Sequence, residues 1–200
     1  IVEEMPDVIV NIIDSTQLER NLFLTYQLML LGRPMILVLN QYDVLKKRGY
    51  DIDIEKIKKL LGLPCILTVA VQNIGVHEIM EKVIELEKNG FKDAIPKVPQ
   101  LGKEIDEIIG SLKKIINKYG KKSDYSLDFA TIKIIEGDSH IQAKLGLTDN
   151  PGWEKEYSEI IAKIKNIENI HGEDISTILS AEIYHVIHKI ALETVYTKKV

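Results

Sequence analysis

The sequence is short of cysteine, of tryptophan and of net charge, and each shortage closes off a class of protein. A single thiol, Cys65, excludes a disulfide framework, and its position in the apolar run CILTVA makes it a buried small hydrophobe in a reducing compartment. No window reaches the ~18 unbroken apolar residues of a membrane span, because Gly32, Arg33 and Pro34 interrupt the longest apolar region; this piece is expected to be soluble. A basic segment followed by an apolar one, the mark of a secretory leader, is missing from the start. The net charge of −4 argues against nucleic acid as a partner, and the tyrosines and the one tryptophan form no stacking pattern that would reverse this. No GxxxxGK(S/T) occurs either, so the loop that cradles phosphates in nucleotide hydrolases is absent and no catalytic residue is assigned.

What is present divides near residue 90. Before it, the apolar runs VIVNIID, MILVLN and CILTVA alternate with amphipathic segments at residues 18–30, 54–61 and 76–86. Three β-α units in series predict an α/β fold with a parallel sheet and right-handed crossovers. Residues 91–99, with Pro96 and Pro99, read as a linker between residues 1–90 and residues 100–200. Beyond it no strand-like run occurs, and helical periodicity recurs at residues 100–118, 126–136, 139–145, 153–170 and 173–198. Ile105, Ile108, Ile109, Leu112 and Ile116 keep the three- and four-residue spacing of a buried helix face, so the second half is predicted to be an all-α bundle. Its helix ends are marked by Asp138 as a cap, Pro151 at an entry and Gly172 after a last turn.

The run ILVLNQYD carries the first chemical signal. Asn40 and Asp43 fall where the second strand runs out, at the carboxyl end of a parallel sheet, the place where open α/β folds bind ligands. An ionised Asp43 can accept from both the N1–H and the exocyclic amine of guanine, whereas adenine offers no such pair of donors. Thr68, Val69 and Ala70 stand at the end of the next strand and would supply the other wall, with the Ala70 amide as donor to guanine O6. Each element alone is also an ordinary turn; one β-α unit apart, they form a constellation.

With these residues in view, the chain resembles the cytosolic GTP-binding portion of the bacterial ferrous iron transport protein B family. PDVIVNIIDSTQLERNLFLTYQL resembles the stretch after switch II, NQYD and TVA fall at the two base-recognition motifs, and LDFATIKIIEGD and EIYHVIHKI resemble segments of the helical domain. The resemblance implies GTP or GDP as ligand, held here through Asn40, Gln41, Asp43, Thr68, Val69 and Ala70, with Mg2+ in the complete domain. It implies a partial G domain whose phosphate-binding half precedes Ile1, hence no hydrolysis by this piece alone. It also implies a partner in the membrane portion of the same transporter, at the cytoplasmic face of the bacterial inner membrane. Gln41 stands where many GTPases have Lys, Val69 where the family usually has Ser, and Ile183 where Arg is expected. The strand from Val8 to Ile13 would then lack a neighbour, and such an apolar edge is expected to dimerise, exchange elements or aggregate with another copy, the alternative being that the helical domain folds over it.

Two other readings compete. Glu168 with His171, and Glu182 with His185, have the Glu-x-x-His spacing of metal-binding helical bundles. A nucleotide-independent interaction module would use Lys113, Lys114, Lys121 and Lys122 as a contact patch, though such a cluster also serves as a solvated face, and Trp153 reads as a packing anchor.

Overall fold

The computed structural model describes residue 4 and residues 6–197. Two compact units result, one made of residues up to Pro99 with those from His185 on, the other of residues 100–184.

In the first unit, strands β1 (Ile9–Asp14), β2 (Met35–Asn40) and β4 (Cys65–Leu67) form a parallel sheet in the order β1-β2-β4. Strand β2 lies in the middle, and its run Met35, Ile36, Leu37, Val38 and Leu39 is buried on both faces, which is why it reads as unbroken apolar sequence. Helix α1 (Leu18–Met29) covers one face with Leu18, Leu22, Tyr26 and Met29. Each such side chain contributes roughly 1.5–3 kcal/mol on burial. A polar pair sits within this layer: Asn11 Nδ2 donates to Thr25 Oγ1 at 2.8 Å, and Thr25 Oγ1 donates to the Asn21 carbonyl at 3.2 Å. On the other face, α4 (Val76–Lys88) sets Leu86, Ile79 and Val83 against Ile36, Val38 and Ile66.

Strand β1 is an edge among the described residues. Its Ile9 N–H donates to the Pro34 carbonyl at 2.8 Å, so Ile9, Asn11 and Ile13 turn their backbone groups toward β2. Val10 and Ile12 turn theirs to the open edge, and their side chains are 38% and 61% exposed.

The apolar runs and amphipathic segments of the first unit become the strands and helices expected of them, but two short strands break the simple alternation. β3 (Tyr50–Ile52) pairs antiparallel with β5 (Val195–Thr197), in the register Tyr50↔Thr197, Asp51↔Tyr196 and Ile52↔Val195. The last helical pattern therefore stops at Thr194, and the chain continues as a strand because β3 offers it a backbone partner. Between these elements lie α2 (Tyr42–Lys47) and α3 (Ile54–Leu61), the latter capped by Asp53 and closed by Gly62 in the left-handed conformation.

The second unit is helical: α5 (Lys103–Tyr119), α6 (Leu127–Ile135), α7 (Ser139–Lys144) and α8 (Pro151–His171); α9 (Ile175–Thr194) contributes its residues through Tyr184. Ser126, Asp138 and Asn150 each accept a backbone N–H at the start of the helix that follows, and Pro151 occupies the first turn of α8. Helix α5 packs on α8 and α6. Trp153 is 2% exposed and stacks on Tyr157 at 4.8 Å, and the Tyr157 hydroxyl donates to the Ile134 carbonyl, joining α8 to α6. Ile183 is buried, an apolar solution to a position where Arg was expected.

Candidate guanine-binding site

Three strand ends converge at one edge of the sheet. Asp14 is level with Asn40 in the β1–β2 pairing and Leu39 with Leu67 in the β2–β4 pairing, which brings Asn40 alongside Thr68. The Thr68 N–H donates to the Leu39 carbonyl at 2.9 Å, and the Tyr42 N–H reaches the Thr68 carbonyl at 3.3 Å. Asn40 Oδ1 then accepts twice, from Thr68 Oγ1 and from the Ala70 N–H, both at 3.1 Å. The two loops named from sequence are thus tied by a single side-chain oxygen. Among the described residues nothing accepts from Asn40 Nδ2, which leaves that amide as a free donor at the strand end.

Gln41 turns the chain. Its φ of 60° is left-handed, it is exposed, and it delivers the chain from β2 into α2 with Asp43 in the first helical turn. The Asp43 side chain is 25% exposed, and Lys47 donates to its Oδ2 at 3.1 Å. A carboxylate has about four acceptor positions, so this ion pair leaves room for donors from a ligand. Thr68 and Val69 are buried while Ala70 is exposed. Val69 turns inward and pairs its backbone with Ile74 in both directions, closing a tight loop over residues 69–74. Gly75 ends this loop with φ +75°, and a Cβ there would lie 2.3 Å from the Leu67 carbonyl oxygen, so only glycine lets α4 start this close to β4.

The sequence reading aimed the Ala70 amide at guanine O6; in this structure the same N–H is engaged by Asn40. Three residues at this edge were given no site role. Asp14 Oδ1 accepts from both the N–H and the hydroxyl of Thr16 at 2.8 Å, so the Asp-Ser-Thr-Gln run is a cap for the turn into α1. Ser15 is 1% exposed, and its hydroxyl has no partner among the described residues. Tyr42 is the third: its hydroxyl donates to Asp51 Oδ1 at 2.6 Å and Lys46 Nζ lies 4.6 Å from its ring centroid.

The residues of the competing metal reading have other tasks. Glu168 Oε1 accepts from the Ile175 N–H at the start of α9, Glu182 Oε2 accepts from the Gly102 N–H at 2.8 Å, and His171 pairs with Glu104 at 3.4 Å. His185 is exposed. Among the described residues no group of three His, Cys, Asp or Glu is placed to hold a metal ion. Of the lysines of the interaction reading, Lys113 pairs with Asp128 and so joins α5 to α6, and Lys114, Lys121 and Lys122 are exposed. Among the described residues no helix is long and apolar enough to cross a membrane.

Comparison with known proteins gives a consistent result in both units. Residues 1–83 match the family profile described as ferrous iron transport protein B, and residues 102–196 match the FeoB cytosolic helical domain. A Fe(2+) transporter FeoB from Legionella pneumophila (strain Lens) is 30% identical over 185 residues, 92% of this chain and 22% of the relative. One from Staphylococcus aureus (strain COL) is 28% identical over 85% of this chain and 24% of the relative. The chain therefore spans about a fifth to a quarter of these curated relatives. A crystal structure of an S. thermophilus NFeoB mutant bound to GDP superposes with a TM-score of 0.82 at 29% identity, covering 98% of this chain and 71% of that one. The cytosolic domain of L. pneumophila FeoB superposes with a TM-score of 0.72 at 27% identity, covering 98% and 71%.

Proposed function

Because the chain belongs to the ferrous iron transport protein B family, as a part of its cytosolic G domain together with the helical domain, we propose that its first unit reads the guanine base of GTP or GDP. The observation that carries this is Asn40, whose Oδ1 fixes Thr68 and Ala70 and whose Nδ2 is left to donate to a ring nitrogen. Asp43 accepts from the N1–H and the exocyclic amine, and the Ala70 N–H is shared between Asn40 and guanine O6 when the base is bound. Gln41, exposed and left-handed, lays its stem beside the base, and Val69 holds the loop from within. GDP bound to the S. thermophilus relative supports a guanine nucleotide as the ligand class.

The residues of this chain address the base and not the phosphates. The phosphate contacts, Mg2+ and the hydrolytic groups come from a β-α segment that adds to the open edge of β1, where Val10 and Ile12 are exposed and their backbone groups have no strand partner among the described residues. The helical unit passes nucleotide state to the membrane portion of the transporter, at the cytoplasmic face of the bacterial inner membrane. Self-pairing of two copies through the same edge is the second reading, and it is favoured wherever that β-α segment is not bound.

Fluorescent GDP binding tests the base site. Unlabelled GDP is expected to displace the probe and ATP is not. Each hydrogen bond to the charged carboxylate contributes about 1.5–3 kcal/mol, so Asp43→Ala should weaken binding by about a hundredfold or more. Equal displacement by ATP, or an unaffected Asp43→Ala, refutes the assignment.

A further inference from the structure

Asp43 can discriminate between bases only if it is aimed, and α2 cannot aim it unaided. That helix has six residues, too few to be stable by local hydrogen bonding. Its start is held by the Tyr42 N–H on the Thr68 carbonyl and by the Tyr42 hydroxyl on Asp51 Oδ1. Asp51 belongs to β3, which is only three residues long and whose one strand partner among the described residues is β5. The pairing is reinforced on both sides. The Asp53 N–H donates to the Thr194 carbonyl at 2.8 Å, and Lys56 Nζ meets Glu193 Oε2 at 3.1 Å. Thr194 itself is fully buried and donates to the Ile190 carbonyl, fixing the point where α9 hands over to β5.

We propose that Tyr42 is a positioning residue for guanine recognition and that strand β5, through Asp51 of β3, is the support against which it holds Asp43. The inference rests on the base-site reading above. It assigns a role in specificity to Tyr42, between Asn40 and Asp43, and to the strand that follows α9. Burial and the bond to Asp51 both hold the Tyr42 hydroxyl above its ordinary pKa, so it remains a donor throughout the neutral range. Coupling of this kind is reciprocal: a nucleotide that orders α2 also orders β5.

Inosine diphosphate, which lacks the exocyclic amine of guanine, separates aim from simple stability. In the intact chain GDP is expected to bind about tenfold or more tightly than inosine diphosphate, the worth of one bond to a charged acceptor. Tyr42→Phe and Asp51→Ala should each cut that ratio to about threefold or less, and the double variant should lose no more than either single one. Asp51→Asn keeps an acceptor for the Tyr42 hydroxyl and should retain the ratio. GDP should slow amide exchange at Tyr196 in the intact chain and leave it unchanged in Tyr42→Phe. If Tyr42→Phe lowers both affinities but keeps their ratio, Tyr42 is only a stabilising residue and the inference fails while the base site stands. If the intact chain binds neither nucleotide, or both equally, the base-site reading fails and takes this inference with it. Should Tyr42→Phe not fold, the Asp51→Ala and Asp51→Asn pair decides alone.

Discussion

Replacing Asn40 by alanine removes the oxygen on which two loops meet, and the cost can be worked out from its contacts. Two hydrogen bonds of 3.1 Å are lost, each worth about 0.5–1.5 kcal/mol net. Thr68, 2% exposed, is left with a hydroxyl that no longer donates, and a buried polar group stranded in this way costs about 1–3 kcal/mol. Part of the second amount duplicates the first, so about 2 kcal/mol is expected for the closed form of the residue 69–74 loop. The assay is native-state amide exchange at Ala70, whose N–H has Asn40 as its acceptor. A change of that size speeds exchange by about thirtyfold. Asn40→Asp provides the contrast. It keeps an acceptor for Thr68 and Ala70 and loses the free amide donor, so protection at Ala70 should survive while guanine binding is lost. Ala70 exchange within about twofold of the parent in Asn40→Ala would refute the idea that this side chain holds the loop.

Two further outcomes are expected. Cys65 is 6% exposed, donates to the Leu63 carbonyl, and has its thiol pushed up to about 12 by burial, so its thiolate is about a thousandfold scarcer than that of an unperturbed thiol. A disulfide reagent at mildly alkaline pH should leave the folded chain unmodified and react after unfolding in guanidinium; rapid stoichiometric labelling of the folded chain would contradict this. In sedimentation equilibrium at tens of micromolar the chain should self-associate through β1, and Ile12→Lys should return it to a monomer, because a charge on an exposed edge opposes strand addition. A monomeric parent rules out self-pairing.

Much of the fold was legible because its strongest elements are local. Residues 35–39 are an unbroken apolar run because β2 is covered on both faces, and the helices carry their own ends in Asp138, Pro151 and Gly172. The strands β3 and β5 were not legible. Tyr-Asp-Ile and Val-Tyr-Thr are too short to show a period, and each becomes a strand only by meeting the other across the length of the chain. The site shows the same division. Asn40, Asp43, Thr68 and Ala70 were singled out because their spacing matches one β-α unit, and Asn40 does meet Thr68 and Ala70, but no spacing revealed that the Ala70 N–H would be given to Asn40. Nor did it show that Tyr42 reaches Asp51, or that Glu168 and Glu182 spend their carboxylates on backbone donors.

The buried pair Asn11 and Thr25 bears on how this unit chooses one arrangement among near equals. A central strand of Met, Ile, Leu, Val and Leu is almost indifferent to being shifted along its neighbours, since one branched aliphatic side chain fills a layer about as well as another. The amide of Asn11 is not indifferent. Slide α1 by a residue along β1, and that amide, 7% exposed, faces hydrocarbon with nothing to receive its hydrogen, while Thr25, with no exposed surface at all, loses the donor that fills its lone pair. The aliphatic layer makes the unit cohere, and this one polar contact acts as its key: it fits a single alignment of α1 on β1, the two elements that meet at the Asp14 turn, on the sheet edge that carries the proposed base site.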